Sequence, residues 1–268
     1  YGEQFVIPSM EAVAAWLSVL NQDIANKVAK VSPEILLKYG DPASLPLAFR
    51  KELLRLCAEN YDQKGRDGVT FDITMLRRLA DSQLANVLES LLIKHTENND
   101  ICTLLLSIIE HGKIKDGVDA ALKLAINNKI NIYVRQHAVR AVLAAGVVKH
   151  HRCLVESFAV ESQETLPWNA TGDLLSDLFP SIITIDQLLR FIELSPEKAE
   201  FSSSPFQLSI EYIFTHANLS IDAIKELLNG FNQLLKQEPF INTYSCHVSK
   251  HYAWLSPHSI RLIQPLLQ

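Results

Sequence analysis

Three residues near the end of the chain have the types and spacing to hold a metal: Cys246, His247 and His251. On a helix, His247 and His251 stand at i and i+4, so both imidazoles could reach one ion, with the Cys246 thiolate as a third ligand. Structural zinc takes four ligands at tight spacing, and the nearest further donor is His258. The competing reading is two surface histidines beside a buried thiol. The ligand count favours it, so no metal is expected. A second group, His150, His151 and Cys153, sets histidine bases beside a nucleophile. Adjacent helical residues point about 100° apart, so one of these histidines must face solvent. A histidine pair at a helix end is also what the helix dipole favours. No catalytic residue is assigned.

Gly112 and Gly117 have the spacing of a phosphate-binding loop. Val118 and Asp119, however, stand where Lys and Ser/Thr must reach the phosphates and magnesium, and no strand precedes the segment. No cofactor is expected on this chain. The carboxylate pairs Asp173/Asp177 and Asp116/Asp119 have helical spacing, but the first of each suits a helix N-terminus. Arg50, Lys51, Arg55, Arg77, Arg78, Arg135 and Arg140 could line a face that grips an acidic partner. Glu52, Glu59, Asp62, Asp67, Asp72 and Asp81 are interspersed with them, as on ordinary solvated helix faces. Arg135, Arg140 and Trp168 are the candidate partner-binding residues. Trp168 lies in a Leu-Pro-Trp-Asn stretch read as a loop, where an exposed aromatic can anchor a partner. Trp16, Trp254, Tyr212 and Phe214 read as core or inter-helix packing.

The elements that must position these groups are helices. Met10, Val13, Ala14, Leu17 and Leu20 share one face of a first helix, expected to point inward. Ser32-Pro33 starts the next, and Gly40 ends it in a left-handed cap. A longer helix to about Tyr61 turns Phe49, Leu53, Leu56 and Cys57 inward. A charged loop follows at 64–67. Asp72, Asp81, Asp100, Asp116 and Asn131 each open a further helix; the first is short, with Leu76 and Leu79, and the one after Asp81 carries Leu84, Val87, Leu88, Leu91 and Leu92 at i, i+3, i+4, i+7 and i+8. A helix over 149–158 closes this block. Beyond a polar break at 161–172, helices are predicted over 173–179, 185–194, 206–216, 220–235, 243–254 and 256–267, with a linker at 195–205. Strand patterns are nearly absent.

The chain has 268 residues, 48% hydrophobic and 21% charged, with 9 Gly and 11 Pro. This is globular composition with few helix breakers. The net charge of −5 argues against nucleic acid as the main ligand, since phosphate-binding domains are basic. Four dispersed cysteines read as reduced core thiols, which favours the cytoplasm. No window approaches the roughly 18 uninterrupted apolar residues of a membrane span. The chain starts at Tyr1, and it is read as a piece of a longer polypeptide.

Two stretches resemble known proteins. Residues 133–146 (YVRQHAVRAVLAAG) resemble the second helix of a HEAT repeat, in which Val134, Ala138 and Val142 pack inward, Ala141 and Ala145 allow close helix contact, and Gly146 caps. Ala14-Ala15-Trp16-Leu17, Ser32-Pro33-Glu34-Ile35-Leu36-Leu37, the segment 40–46 (GDPASLP), Arg50 with Leu53-Leu54, and Tyr252-Ala253-Trp254-Leu255 together look like the stretch that follows the nucleotide-binding module in large bacterial STAND/NACHT-type NTPases. In that family an ATPase switch precedes a helical sensor array, and several members are anti-phage defence proteins. The resemblance implies a piece of the array, with ATP and magnesium bound elsewhere in a full-length protein. No functional residue of the family transfers to a position here.

The expectation is therefore an all-α chain: a HEAT-like antiparallel array (an α-solenoid) of about 12–14 helices, with a regular block at 1–160 and a less regular one at 161–268. Its expected role is non-catalytic, binding a protein partner. A HEAT-like DNA glycosylase and a stand-alone adaptor are the alternatives.

Overall fold

The computed structural model describes residues 5–64, 72–195, 204–243 and 246–264. The fold is all-α, with fifteen α-helices and one short hairpin among these residues. The charged loop expected at 64–67 and the linker at 195–205 fall mostly outside them. The chain divides into two compact units, Tyr1–His150 and His151–Gln268. The division falls inside a helix, ahead of the polar break that the sequence pattern marks.

The first unit begins with α1 (Glu11–Leu20), α2 (Gln22–Val31) and α3 (Pro33–Tyr39). The sequence pattern does not set α2 apart. It is separated from α1 by Asn21, which is extended and accepts hydrogen bonds from the Asp23 and Ile24 amides, the ordinary chemistry of an N-cap. Gly40 ends α3 in an extended conformation, not the expected left-handed one. A Cβ there would press on the Leu36 carbonyl oxygen at 2.6 Å.

Then follow α4 (Leu47–Lys64), α5 (Ile73–Leu79), α6 (Ala85–Lys94), α7 (Asn99–Gly112), α8 (Val118–Ala125) and α9 (Ile132–Ala145). Asp72 caps α5 through the Thr74 amide, and Asn131 caps α9 through the Tyr133 amide. The cap of α7 is Asn98, accepting from the Ile101 amide. Around α7 lies the core. This helix packs on α5, α6 and α9 and buries Ile101, Leu104, Leu105, Ile108 and Ile109. Val134, Ala138, Ala141, Val142 and Ala145 of α9 are all buried, against α7 and α8. Each large aliphatic side chain among these, fully buried, contributes roughly 1.5–3 kcal/mol before ordering costs.

α10 (Val148–Ala159) carries the chain from the first unit into the second. There, α11 (Trp168–Leu178), α12 (Ile185–Leu194), α13 (Pro205–His216) and α14 (Ile221–Leu235) form pairs, α11 on α13 and α12 on α14. Thr184 with Gln187 and Ser204 with Gln207 make reciprocal capping boxes at α12 and α13. Gly172 lets α11 and α13 approach: a Cβ there would meet Ser209 Oγ at 2.7 Å.

The helix predicted over 243–254 is absent. Its place is taken by β1 (Phe240–Thr243) and β2 (Cys246–Ser249), an antiparallel pair with Phe240 opposite Ser249 and Asn242 opposite His247. Phe240, Ile241, Thr243 and Val248 favour a pleated strand, while Asn242 and Ser249 are poor helix formers. α15 (Ser256–Ile263) completes the unit. No described helix is long and apolar enough to cross a membrane.

Candidate interaction surface

Residues expected to act together are separated by the fold. With 246–249 in a strand, His247 and His251 are no longer one turn apart on a helix, and the spacing argument for a shared metal lapses. His247 is exposed and sets its ring edge-on to Phe240. His251 turns to the Ser195 carbonyl oxygen, 3.2 Å from its Nε2, and packs edge-on against Tyr252. The Cys246 side chain is outside the described set. Among the described residues no group of three or more His, Cys, Asp or Glu is placed to hold a metal.

His150 is engaged locally. Its Nδ1 accepts from the Val147 amide at 3.1 Å, while Nε2 stands 3.2 Å from Asp119 Oδ1. The two glycines of the loop-like spacing are packing residues. A Cβ on Gly112 would collide with the Ala80 Cβ, and one on Gly117 would crowd Ile109 at 3.1 Å. The left-handed residue that ends α7 is Lys113, at φ 49°. Asp177 is exposed at its surface yet close to Asp173; partial desolvation first, then that neighbour, raises its pKa, and His151 opposes them.

Arg135 is not a surface residue. It is 1% exposed, and its Nε donates to the Ala125 carbonyl oxygen at 2.9 Å. Arg140 is half-buried on α9. His137 nearby has a pKa held below the usual histidine value by burial, then by Arg140 and His111. The two arginines thus form no shared exposed patch. Trp168 opens α11 instead of sitting in a loop. Its Nε1 donates to the Gln163 carbonyl oxygen at 3.0 Å, and its ring stacks edge-on against Phe206 at 5.1 Å. Other basic residues are also tied to neighbours: Arg50 to the Leu79 carbonyl oxygen and Asp81, Arg78 to Asp41 at 2.7 Å, and Arg55 to Glu52.

The surface that does stand out is one the sequence pattern assigns to the core. In α1 the buried residues are Ala15 and Ser18, and the helix lies against α2 and α3. Its large apolar side chains face the other way. Met10, Val13 and Leu17 are exposed, Trp16 is 60% exposed and Leu20 83%. Phe5 and Ile7, just before the helix, are exposed as well. Ala12, Val13, Trp16, Leu17, Val19 and Leu20 line a shallow apolar groove.

The inward expectation for Trp16 and for the Met10–Leu20 stripe is therefore corrected, and the reason lies in the sequence itself. EAVAAWLSVL is apolar on nearly every side, so periodicity cannot choose the buried face. The small face of Ala15 and Ser18 allows the closer approach, and Ser18 Oγ satisfies itself on the Ala14 carbonyl oxygen at 2.7 Å. Chemically, the outward face offers desolvation and shape, with no titratable group except Glu11 at its start.

Compared with protein-family models, curated proteins and solved structures, the chain matches none.

Proposed function

We propose that this chain is a non-catalytic protein-interaction scaffold, a HEAT-like array of antiparallel helices. One observation carries the reading: α1 is apolar almost all round, yet only its small-residue side is covered. A helix of that composition is normally buried throughout. A contiguous exposed apolar face on a helical domain marks a protein-contact site. The resemblance of segments 14–17, 32–37 and 40–46 to the region after the nucleotide-binding module supports a wider context. In it, the chain is part of the sensor array of a larger STAND/NACHT-type NTPase in bacterial defence, in the cytoplasm. ATP and magnesium belong to the switch module of such a protein. Binding of a trigger would favour one of two arrangements of the whole in proportion to its preference for that arrangement.

A HEAT-like DNA glycosylase would need a continuous positive groove. Arg50, Arg55 and Arg78 sit in ion pairs and Arg135 is buried, so these residues do not supply one.

The test is partner retention by the intact protein. Leu17→Glu and Leu20→Glu place a charge on the exposed face without touching the core. Each is expected to cut retention by at least ~10-fold with unchanged helical content. Unchanged retention in both would remove this face.

A further inference from the structure

Resting on the scaffold reading, we infer that the α1 face pairs with a second copy of this chain, the two α1 helices lying antiparallel across a two-fold axis. Area is the first argument. Phe5 (74% exposed), Ile7, Met10, Val13, Trp16, Leu17 and Leu20 together expose apolar surface on the order of several hundred Å² per copy, the scale of the ~800 Å² per partner of a standard stable interface.

Self-complementarity is the second argument. Met10, Val13, Leu17 and Leu20 follow the 3-4-3 spacing of a helix–helix seam. That spacing reads the same in both directions about position 15. Reversing a second α1 against the first therefore sets Met10 opposite Leu20 and Val13 opposite Leu17, with the two Trp16 side chains meeting on one flank of the seam and the small Ala14 residues on the other. An isologous contact requires a patch that fits itself, and the antiparallel arrangement also opposes the two helix dipoles.

Charge is the third. Glu11 is the only ionisable residue of α1, and at the helix start it lies at the rim of the seam. Two copies can meet without burying a charge. A partner chosen by electrostatic complementarity would find nothing to read here.

The experiment is sedimentation equilibrium of this chain from about 1 to 100 µM. The wild type is expected to show twice the chain mass at the upper end. Leu17→Glu and Leu20→Glu are expected to weaken self-association about 100-fold with an unchanged far-UV spectrum. A wild-type monomer throughout would overturn the second-copy assignment, as would a dimer that survives both charges.

Geometry is read separately, in a background with Cys153→Ser and Cys246→Ser. Oxidising a mixture of Met10→Cys and Leu20→Cys chains should yield the mixed cross-linked dimer. Cross-linking of Leu20→Cys chains to each other would overturn the antiparallel arrangement. Partner retention by the intact protein is a different readout, so a monomeric chain whose Leu17→Glu variant still loses its partner leaves the scaffold reading standing and removes only the second copy.

Discussion

The Arg135 guanidinium closes the end of a neighbouring helix: its Nε donates to the carbonyl oxygen of Ala125, the last residue of α8, at 2.9 Å. The last carbonyls of a helix lack intrahelical partners and carry the negative end of its dipole. A cation donating to one of them satisfies an acceptor and a field together. The chemistry that makes Arg135 attractive as a partner contact is consumed inside the fold.

Arg135→Ala is therefore expected to cost stability, not binding. It leaves a cavity and an unpaired buried carbonyl, for a loss of about 2–4 kcal/mol. Arg135→Glu should be worse, since it buries an anion at the negative end of α8. Urea unfolding of both variants checks this. A change within about 0.5 kcal/mol for Arg135→Ala would contradict the buried geometry.

The opposite holds across α1. Ala15→Glu puts a charge on the face covered by α2 and α3 and should destabilise by about 2–4 kcal/mol. Leu17→Glu, on the outer face, should change the stability of the isolated chain by no more than about 0.5 kcal/mol under conditions where it is monomeric. Thermal unfolding at low concentration separates the two. The reverse ranking would show that the helix is turned the other way.

These contrasts mark how far the sequence can be read. The buried pattern of α9 is legible because Val134, Ala138 and Val142 repeat at four residues beside polar neighbours. α1 has almost no polar residue to break the symmetry, so its buried face depends on the neighbours. Arg135 misleads because charge suggests exposure, and only the tertiary position of Ala125 reveals its acceptor. The hairpin escapes because the spacing of His247 and His251 suggests a helix turn, although Phe240, Ile241, Thr243 and Val248 carry a strand signal that outweighs it. Asn21 is itself a cap residue, and it is the available sign that α1 and α2 are separate helices.

The turn after α7 offers a paired test. Gly112→Ala would drive a Cβ into that of Ala80, and two packed backbone segments must separate, at a cost of about 1–3 kcal/mol. Lys113, at φ 49°, holds a conformation that glycine adopts without a Cβ penalty. Lys113→Gly should gain about 0.5–1 kcal/mol. Opposite shifts in urea midpoint at adjacent positions are the expected result. Equal shifts would argue against a left-handed residue at 113.

The second unit should also respond to acid through His258. This ring is 8% exposed and packs near Phe214 and Trp254, and its Nδ1 has no hydrogen-bond partner among the described residues. Burial lowers its pKa; Glu211 opposes the shift and Arg261 adds to it. With the folded value below the unfolded one, the unfolded chain binds more protons as pH falls below about 6.5, so folding stability falls in that window. Asp177 works with the opposite sign. Its folded pKa is raised by partial desolvation and by Asp173, so its ionisation disfavours the folded state as pH climbs above the ordinary carboxylate range. His258→Phe should flatten the stability loss between pH 7 and 5. Asp177→Asn should stabilise at pH 7 and lose that advantage near pH 4. Urea titrations across pH 4–8 check both, and a His258→Phe profile parallel to the wild type would show that the buried imidazole does not set the acid response.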